Sequence, residues 1–379
     1  MSYDVTVWST DPGVLPACLP RASEWHGEGG IWVFDSRSWQ IAVGPSDRVL
    51  AEDVPDDVAR MLPGIAFRTE LNLSPIGAGA SAKSFLERAA MAIAKASHGI
   101  VLDPRTDTCT SPRGLRRFVS LGGEDNASLL TLTWWFVDGP IVNGEGFEGL
   151  LDILASRLPE ALPRRYGLYE PPQYVLADTG RAHFLSFLRD EVRNFVVWYP
   201  NPPIAGVHVG IPDKIGGSRF GFRSGRLEIQ IDIETLGQPG WARAIRDAWR
   251  QISHSVRPFY GDVRTLHGFK RHRGRYSIGS ETENHPVRSW WWAGIPRGPV
   301  HAAVVGEPYL ALWPDVQDHA EFDQGLAFVS TDDWTLAEDA FQRTGQAPDN
   351  IAQHAPEFRR PDSQRTYPPV WPFESPLTP

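Results

Sequence analysis

Apolar positions along the chain follow two spacings, one repeating every second residue and one every three to four. Residues 3–8 alternate as a half-buried strand does. Residues 31–34 and 39–43 follow as a hairpin, with a short helix expected near 14–19. A second short helix runs from after Pro55 to Leu62, then a strand around 66–73. The clearest helix of this half is 81–97, with Phe85, Ala89, Ala92, Ile93 and Ala96 on one face and His98-Gly99 as its stop. Residues 100–102 then read as a short buried strand. This order predicts a small α/β sandwich over residues 1–112, with helices over one face of a mixed sheet.

The glycine- and charge-containing segment 113–126 reads as a linker. A second unit, 127–345, opens with a strand at 129–137 and a helix that puts Phe147, Leu150, Leu151, Leu154 and Leu158 on one stripe. Another helix is expected at 181–196. The strongest helical period follows at 241–252, where Trp241, Ala244, Ile245, Ala248, Trp249 and Ile252 share one face. Between these helices, 206–211, 219–222 and 227–233 read as antiparallel strands joined by turns that contain glycine. Strands at 300–305 and 326–330 and a short helix after Trp334 complete the unit. The proline-rich tail, 346–379, has no helical period and is expected to be extended. The expected class is α+β: two sandwich-like units with antiparallel or mixed sheets and helices packed on one face.

Composition narrows the class. A chain of 379 residues with 41% apolar and 22% charged residues is long enough for two globular domains. No apolar run approaches the roughly 20 residues of a spanning helix, and the start shows no basic segment leading into an apolar one, so a cytoplasmic protein without membrane contact is expected. Cys18 and Cys109 make no disulfide framework and read as reduced thiols. With 37 basic against 46 acidic residues the net charge is −9, which disfavours nucleic acid as the partner. Most of the 15 tryptophans belong in a core.

The chemistry on offer is sparse. Gly77 to Ser84 stands where a phosphate loop would, but Ala82 replaces the glycine expected before Lys83-Ser84, so a plain strand-to-helix turn is the better reading, with Asp103 too near to act as a magnesium-positioning acid. Pro212-Asp213 followed by Glu228-Ile-Gln230 imitates the paired carboxylates of metal-dependent nucleases. Gln230 there replaces the usual lysine, and the competing reading is a hairpin with Asp213 in the turn and Glu228 facing outward. His319, Glu321 and Asp323 sit close enough to suggest metal ligands but read better as a solvated acidic turn. The basic run Lys270-Arg271-His272-Arg273-Gly-Arg275 reads as a solvated loop. No cofactor or metal set is expected.

Residues 315–339 hold Asp315, Asp318, Glu321, Asp323, Asp332, Asp333, Glu338 and Asp339 without one Lys or Arg. Like charges that cannot neutralise one another locally invite a basic partner or stay hydrated. Read as a partner surface, the segment offers Asp315, Asp318, Glu321, Asp323, Asp332 and Asp333 as charges and Phe322 or Trp334 as the apolar anchor.

Between residues 129 and 334 a series of aromatic and glycine landmarks recurs: Thr133-Trp-Trp-Phe136, Gly146-Phe-Glu-Gly-Leu150, Leu158 through Gly167, Pro258-Phe-Tyr-Gly261, Trp290 through Pro296 and Gly306 through Pro314. Over this half of the chain the sequence resembles immunity protein 52 and related bacterial families. The resemblance implies a protein of polymorphic toxin loci that neutralises a cognate toxin by binding it, non-catalytically, and it leaves residues 1–120 unexplained. An acidic surface would then face a toxin with a basic substrate site. The alternative from the residues themselves is a metal-dependent nuclease using Asp213 and Glu228, with Gln230 beside them.

Overall fold

The computed structural model describes residues 3–352 apart from 14, 29, 76–77, 107, 115, 119–124, 169–171, 213–215, 219–220, 273–274, 279–281, 284, 286–290, 293, 335–338, 343–346 and 349–350. The protein has an α+β fold and divides into two compact units, Met1–Gly123 and Glu124–Pro379.

In the first unit the strands are β1 (Tyr3–Ser9), β2 (His26–Glu28), β3 (Ile31–Asp35), β4 (Gln40–Arg48), β5 (Phe67–Ser74), β6 (Gly99–Asp103), β7 (Thr108–Thr110) and β8 (Arg116–Phe118). They form one eight-stranded sheet in the order β2-β3-β4-β5-β1-β6-β7-β8, and every pairing is antiparallel. Helix α2 (Ala80–Ala96) follows the short α1 (Asp56–Met61). Alternation along the strands sorts the side chains. Val5, Val7, Ile41, Val43, Leu71 and Leu73 face Phe85, Leu86, Ala89 and Ile93 of α2, while Trp8, Ile100 and Leu102 face a smaller core with Val58 of α1. The segment expected as a helix at 14–19 consists of turns where it is described; Pro16 and Pro20 supply no amide hydrogen to a helical ladder. Part of the segment read as a linker is β8, which pairs with β7.

The second unit is built on a larger antiparallel sheet. In chain order its elements are β9 (Asp125–Phe136), α3 (Phe147–Arg157), β10 (Arg165–Gly167), β11 (Tyr174–Val175), α4 (Leu176–Glu191), β12 (Val196–Tyr199), β13 (Ile204–Gly210), β14 (Gly216–Ser218), β15 (Gly221–Arg223), β16 (Gly225–Asp232), α5 (Trp241–Val256), β17 (Tyr260–His272), β18 (Arg275–Ile278), β19 (Trp291–Trp292), β20 (Ala302–Val305), α6 (Tyr309–Leu312), α7 (Pro314–His319), β21 (Glu321–Asp323) and β22 (Leu326–Ser330). The sheet runs β11-β10-β12-β13-β16-β9-β17-β20-β22-β21, with β18 paired to β17, while β14, β15 and β19 form a separate small ribbon.

Two cores sandwich this sheet. On one face Leu130, Leu132, Trp134, Ile229, Val207 and Val263 meet α3, α4 and α5. On the other, Trp135, Tyr260, Ala303 and Ala327 meet Trp292, Tyr309, Trp313 and Ile351. Trp134 and Trp249 stack at 4.6 Å between centroids, and the Trp134 indole donates to Ser253 Oγ at 2.9 Å. A Cβ on Gly261 would lie 2.9 Å from the Thr133 carbonyl oxygen and 3.0 Å from the Trp249 ring, so that strand position has no room for a side chain.

Sequence periodicity missed several strands here, β12 and β17 among them. The helix expected at 181–196 runs too far: α4 stops at Glu191, Phe195 takes a left-handed φ of 66°, and Val196 opens β12. β17 escaped because its inward positions include Asp262 and Arg264, which erase the apolar alternation. Lys270, Arg271 and His272 of the basic run consequently belong to β17 and Arg275 to its partner β18, and not to a free loop; Arg273 lies outside the described residues. Arg271 pairs with Asp232 at 2.8 Å and Glu234 at 2.9 Å, and Lys270 donates to Asn126 at 2.7 Å.

Candidate functional site

The acidic segment begins on α7, where Asp315 and Asp318 are exposed and Val316 is buried. It continues through β21, the terminal strand of the sheet. Register decides what this strand displays. Phe322 stands opposite Ala327, while Glu321 and Asp323 stand opposite Phe328 and Leu326. Ala327 belongs to the core on the α7 face and Leu326 and Phe328 to the core on the helix face, so Phe322 and the two acids point to opposite sides.

On the helix side the charges meet α5. Arg250 donates to both oxygens of Glu321, the Nη1 to Oε1 contact being 2.7 Å, and this hydrogen bonding holds the Glu321 carboxyl below its usual range. His254 Nε2 lies 3.0 Å from Asp323. Arg246 donates to the Asp332 carbonyl, and its guanidinium sits 5.3 Å from the Trp334 ring. The expectation that these acids have no local counter-charge therefore fails: the cations are supplied by a helix some seventy residues earlier in the chain.

Trp334 is a core residue, 2% exposed, with its indole donating to Ser330; it is unavailable as an anchor. Phe322, at 52%, is the aromatic the segment exposes. Asp332 and Asp333 are exposed beside the buried Trp334. Asp339 accepts from the Val300 and Phe341 amides, and Glu338 lies outside the described residues.

Glu228 belongs to a second constellation. Along β16 the apolar Leu227, Ile229 and Ile231 face the helices, which turns Arg226, Glu228 and Gln230 to the opposite face. His208, Glu228, Thr133 and Asp262 stand in one row across β13, β16, β9 and β17. Glu228 is neither outward-facing nor open: it is 6% exposed, accepts from Arg226 on one oxygen and from Gln230 at 2.9 Å on the other, and has His208 Nδ1 3.6 Å away. Burial opposes its charge, but Arg226 and then His208 outweigh burial and hold the carboxyl at about 2. Asp262, fully buried, accepts from Arg264 Nε at 2.7 Å and lies 3.0 Å from His285 Nε2, and these two neighbours, Arg264 first, hold its carboxyl down against burial. Arg264 extends the network by donating to the carbonyls of Pro296, Arg297 and Pro299.

This arrangement organises a polar layer inside the sandwich. A divalent cation needs carboxylate oxygens free to coordinate it. Both oxygens of Glu228 are engaged by Arg226 and Gln230, so the residue does not fit a nuclease metal site, and among the described residues no group of three or more His, Cys, Asp or Glu is placed to hold a metal. Asp213 lies outside the described residues. Asp103 accepts from the Tyr3 hydroxyl at 2.8 Å, and Lys83 lies 5.5 Å from the Tyr3 ring. Burial raises both thiols, Cys109 to about 11, which keeps them protonated and poor nucleophiles.

No family model matches the chain, and no curated protein matches it. No described helix is long and apolar enough to cross a membrane.

The residues that sequence reasoning did not single out are His208, Asp262, Arg264 and His285 in the polar layer and Arg250 and His254 beside the acidic strand. The charge alternation of β16 was a visible cue to the first group. The second had none, since its pairing depends on where α5 crosses the sheet edge.

Proposed function

We propose that this chain is a non-catalytic binding protein of immunity type, which neutralises a cognate bacterial toxin in the cytoplasm by occluding its active site. The observation that carries the reading is Phe322, half exposed on the terminal strand of the large sheet, on the side of the sheet where α7 presents Asp315 and Asp318. An exposed aromatic with acids beside it is the composition of an anchor for a basic protein surface. The landmarks between 129 and 334 that resemble immunity protein 52 support the same class. The neutralised state of Glu228 supports a structural rather than a hydrolytic role for the buried carboxylates.

The test is growth protection. Cells expressing a candidate toxin survive when the wild-type chain is co-expressed, and survival falls with Phe322→Asp in a chain that still folds. Purified protein leaves DNA and RNA intact in Mg²⁺. Cleavage that is lost with Glu228→Ala, or protection unaffected by the loss of this surface, overturns the reading.

A further inference from the structure

Thr131, Thr133 and Trp135 succeed one another on the face of β9 turned away from α5, and all three are fully buried. Among the described residues neither hydroxyl has a hydrogen-bond partner, nor has the Trp135 indole N–H, nor Nε of Arg226. Arg226 stands opposite Trp135, with its guanidinium 5.9 Å from that ring. Four unpaired polar atoms therefore lie along a single strip of sheet. Buried polar groups in folded proteins are almost always paired, and each lone one lowers the folding equilibrium constant roughly tenfold. Four neighbours together point to something that pairs with them.

The carboxylates are within the same strip. Glu228 and Asp262 stand opposite Thr133 on either side; a carboxylate accepts about four hydrogen bonds, and each has three neighbours on it, Arg226, Gln230 and His208 for Glu228 and Arg264, His285 and Tyr260 for Asp262. The unpaired atoms are two pure donors and two hydroxyls; Thr131, Thr133 and Trp135 occupy alternate positions of β9 about 7 Å apart, and Arg226 stands across from Trp135 on β16. Their partner has to be small, repeated, and able both to donate and to accept.

We propose that the β9 strip is a binding site for internal water, in which ordered water molecules bridge the Thr131 and Thr133 hydroxyls to the flanking polar groups, with Glu228 and Asp262 as the acceptors beside Thr133. Water there hydrates two ion pairs that the protein otherwise takes wholly out of solvent, and so lightens the cost of burying them. This site is independent of the partner surface and stands whether or not the chain binds a toxin.

A high-resolution crystal structure of the full chain tests it directly. The expected result is water within hydrogen-bond distance of both Thr131 Oγ1 and Thr133 Oγ1; density in which either hydroxyl has no water neighbour overturns the proposal without recourse to variants. Denaturant titration gives a second reading. Thr133→Val keeps the shape and removes the bridge, so the folding equilibrium constant falls about tenfold, while Thr133→Ser stays close to wild type. A valine variant as stable as wild type or more stable, the latter being the result for a buried hydroxyl that bonds to nothing, overturns it as well.

Discussion

Arg250 on α5 grips Glu321 on β21 through both ends of its guanidinium fork. With His254 beside Asp323, this contact directs two of the charges of an uninterrupted acidic segment toward α5 along the sheet edge, while Phe322 faces the other side, the side of α7 with its exposed Asp315 and Asp318. Exposed ion pairs of this kind contribute about 0–1 kcal/mol. Their effect is to assign charge to one face and not the other.

Charge reversal should therefore divide by face. Asp315→Lys with Asp318→Lys is expected to slow association with the toxin about tenfold at low salt and to flatten its salt dependence. Glu321→Lys, facing Arg250, should alter association less. Stopped-flow rates at several ionic strengths decide this, and equal effects from the two faces would remove the surface from the account.

Phe322→Ala should act on dissociation. Removing an interface anchor costs about 2 kcal/mol or more of binding, read as a faster off-rate in surface plasmon resonance, while the urea midpoint of the free protein stays where it was.

Trp334→Ala should do the reverse. The side chain is buried in the core with its indole bonded to Ser330, so the expected loss is about 3–5 kcal/mol of folding stability. Urea denaturation measures it; a wild-type midpoint would show that the site collapses without cost.

Acid should loosen the second unit. Glu228 titrates at about 2 against an ordinary 4.5, and Asp262 is also lowered. Groups with depressed native values contribute stability that is fully present above the ordinary value and is lost as pH falls toward the native one. Urea midpoints should accordingly fall between pH 4.5 and 2, by on the order of 3 kcal/mol for Glu228 alone, and Glu228→Gln should make that fall shallower.

Breaking the buried pair from one side should be worse than removing it. Arg226→Met leaves Glu228 buried without its counter-charge and is expected to cost about 3–5 kcal/mol. Arg226→Met combined with Glu228→Leu should recover most of that loss in a thermal melt. Additive costs would mean that the two residues are not coupled.

The helices of this protein were legible because their evidence is local. The apolar stripes of α2, α3 and α5 fall every three to four residues; α3 and α5 bury the stripe that the spacing announces, and α2 buries Phe85, Ala89 and Ile93 of it but turns its inward face toward Leu86, Ala90 and Ala94 and leaves Ala96 exposed. The alternating strands β1 and β16, and the short continuous apolar runs of β3 and β22, were visible for the same reason. β17 was not, because a pattern of apolar and polar positions presumes that polar means exposed. Asp262 and Arg264 satisfy one another across two residues of the same strand and are buried together.

Composition announced the acidic segment, and the pairing of β21 with β22 divided it. Counting charges along the chain treats neighbours as sharing a surface, whereas a pleated strand sends successive side chains to opposite faces. Whether Glu321 finds an arginine, or Glu228 a buried neighbour, then depends on which elements the fold lays over each face. Those neighbours are remote in sequence, and local periodicity carries no record of them.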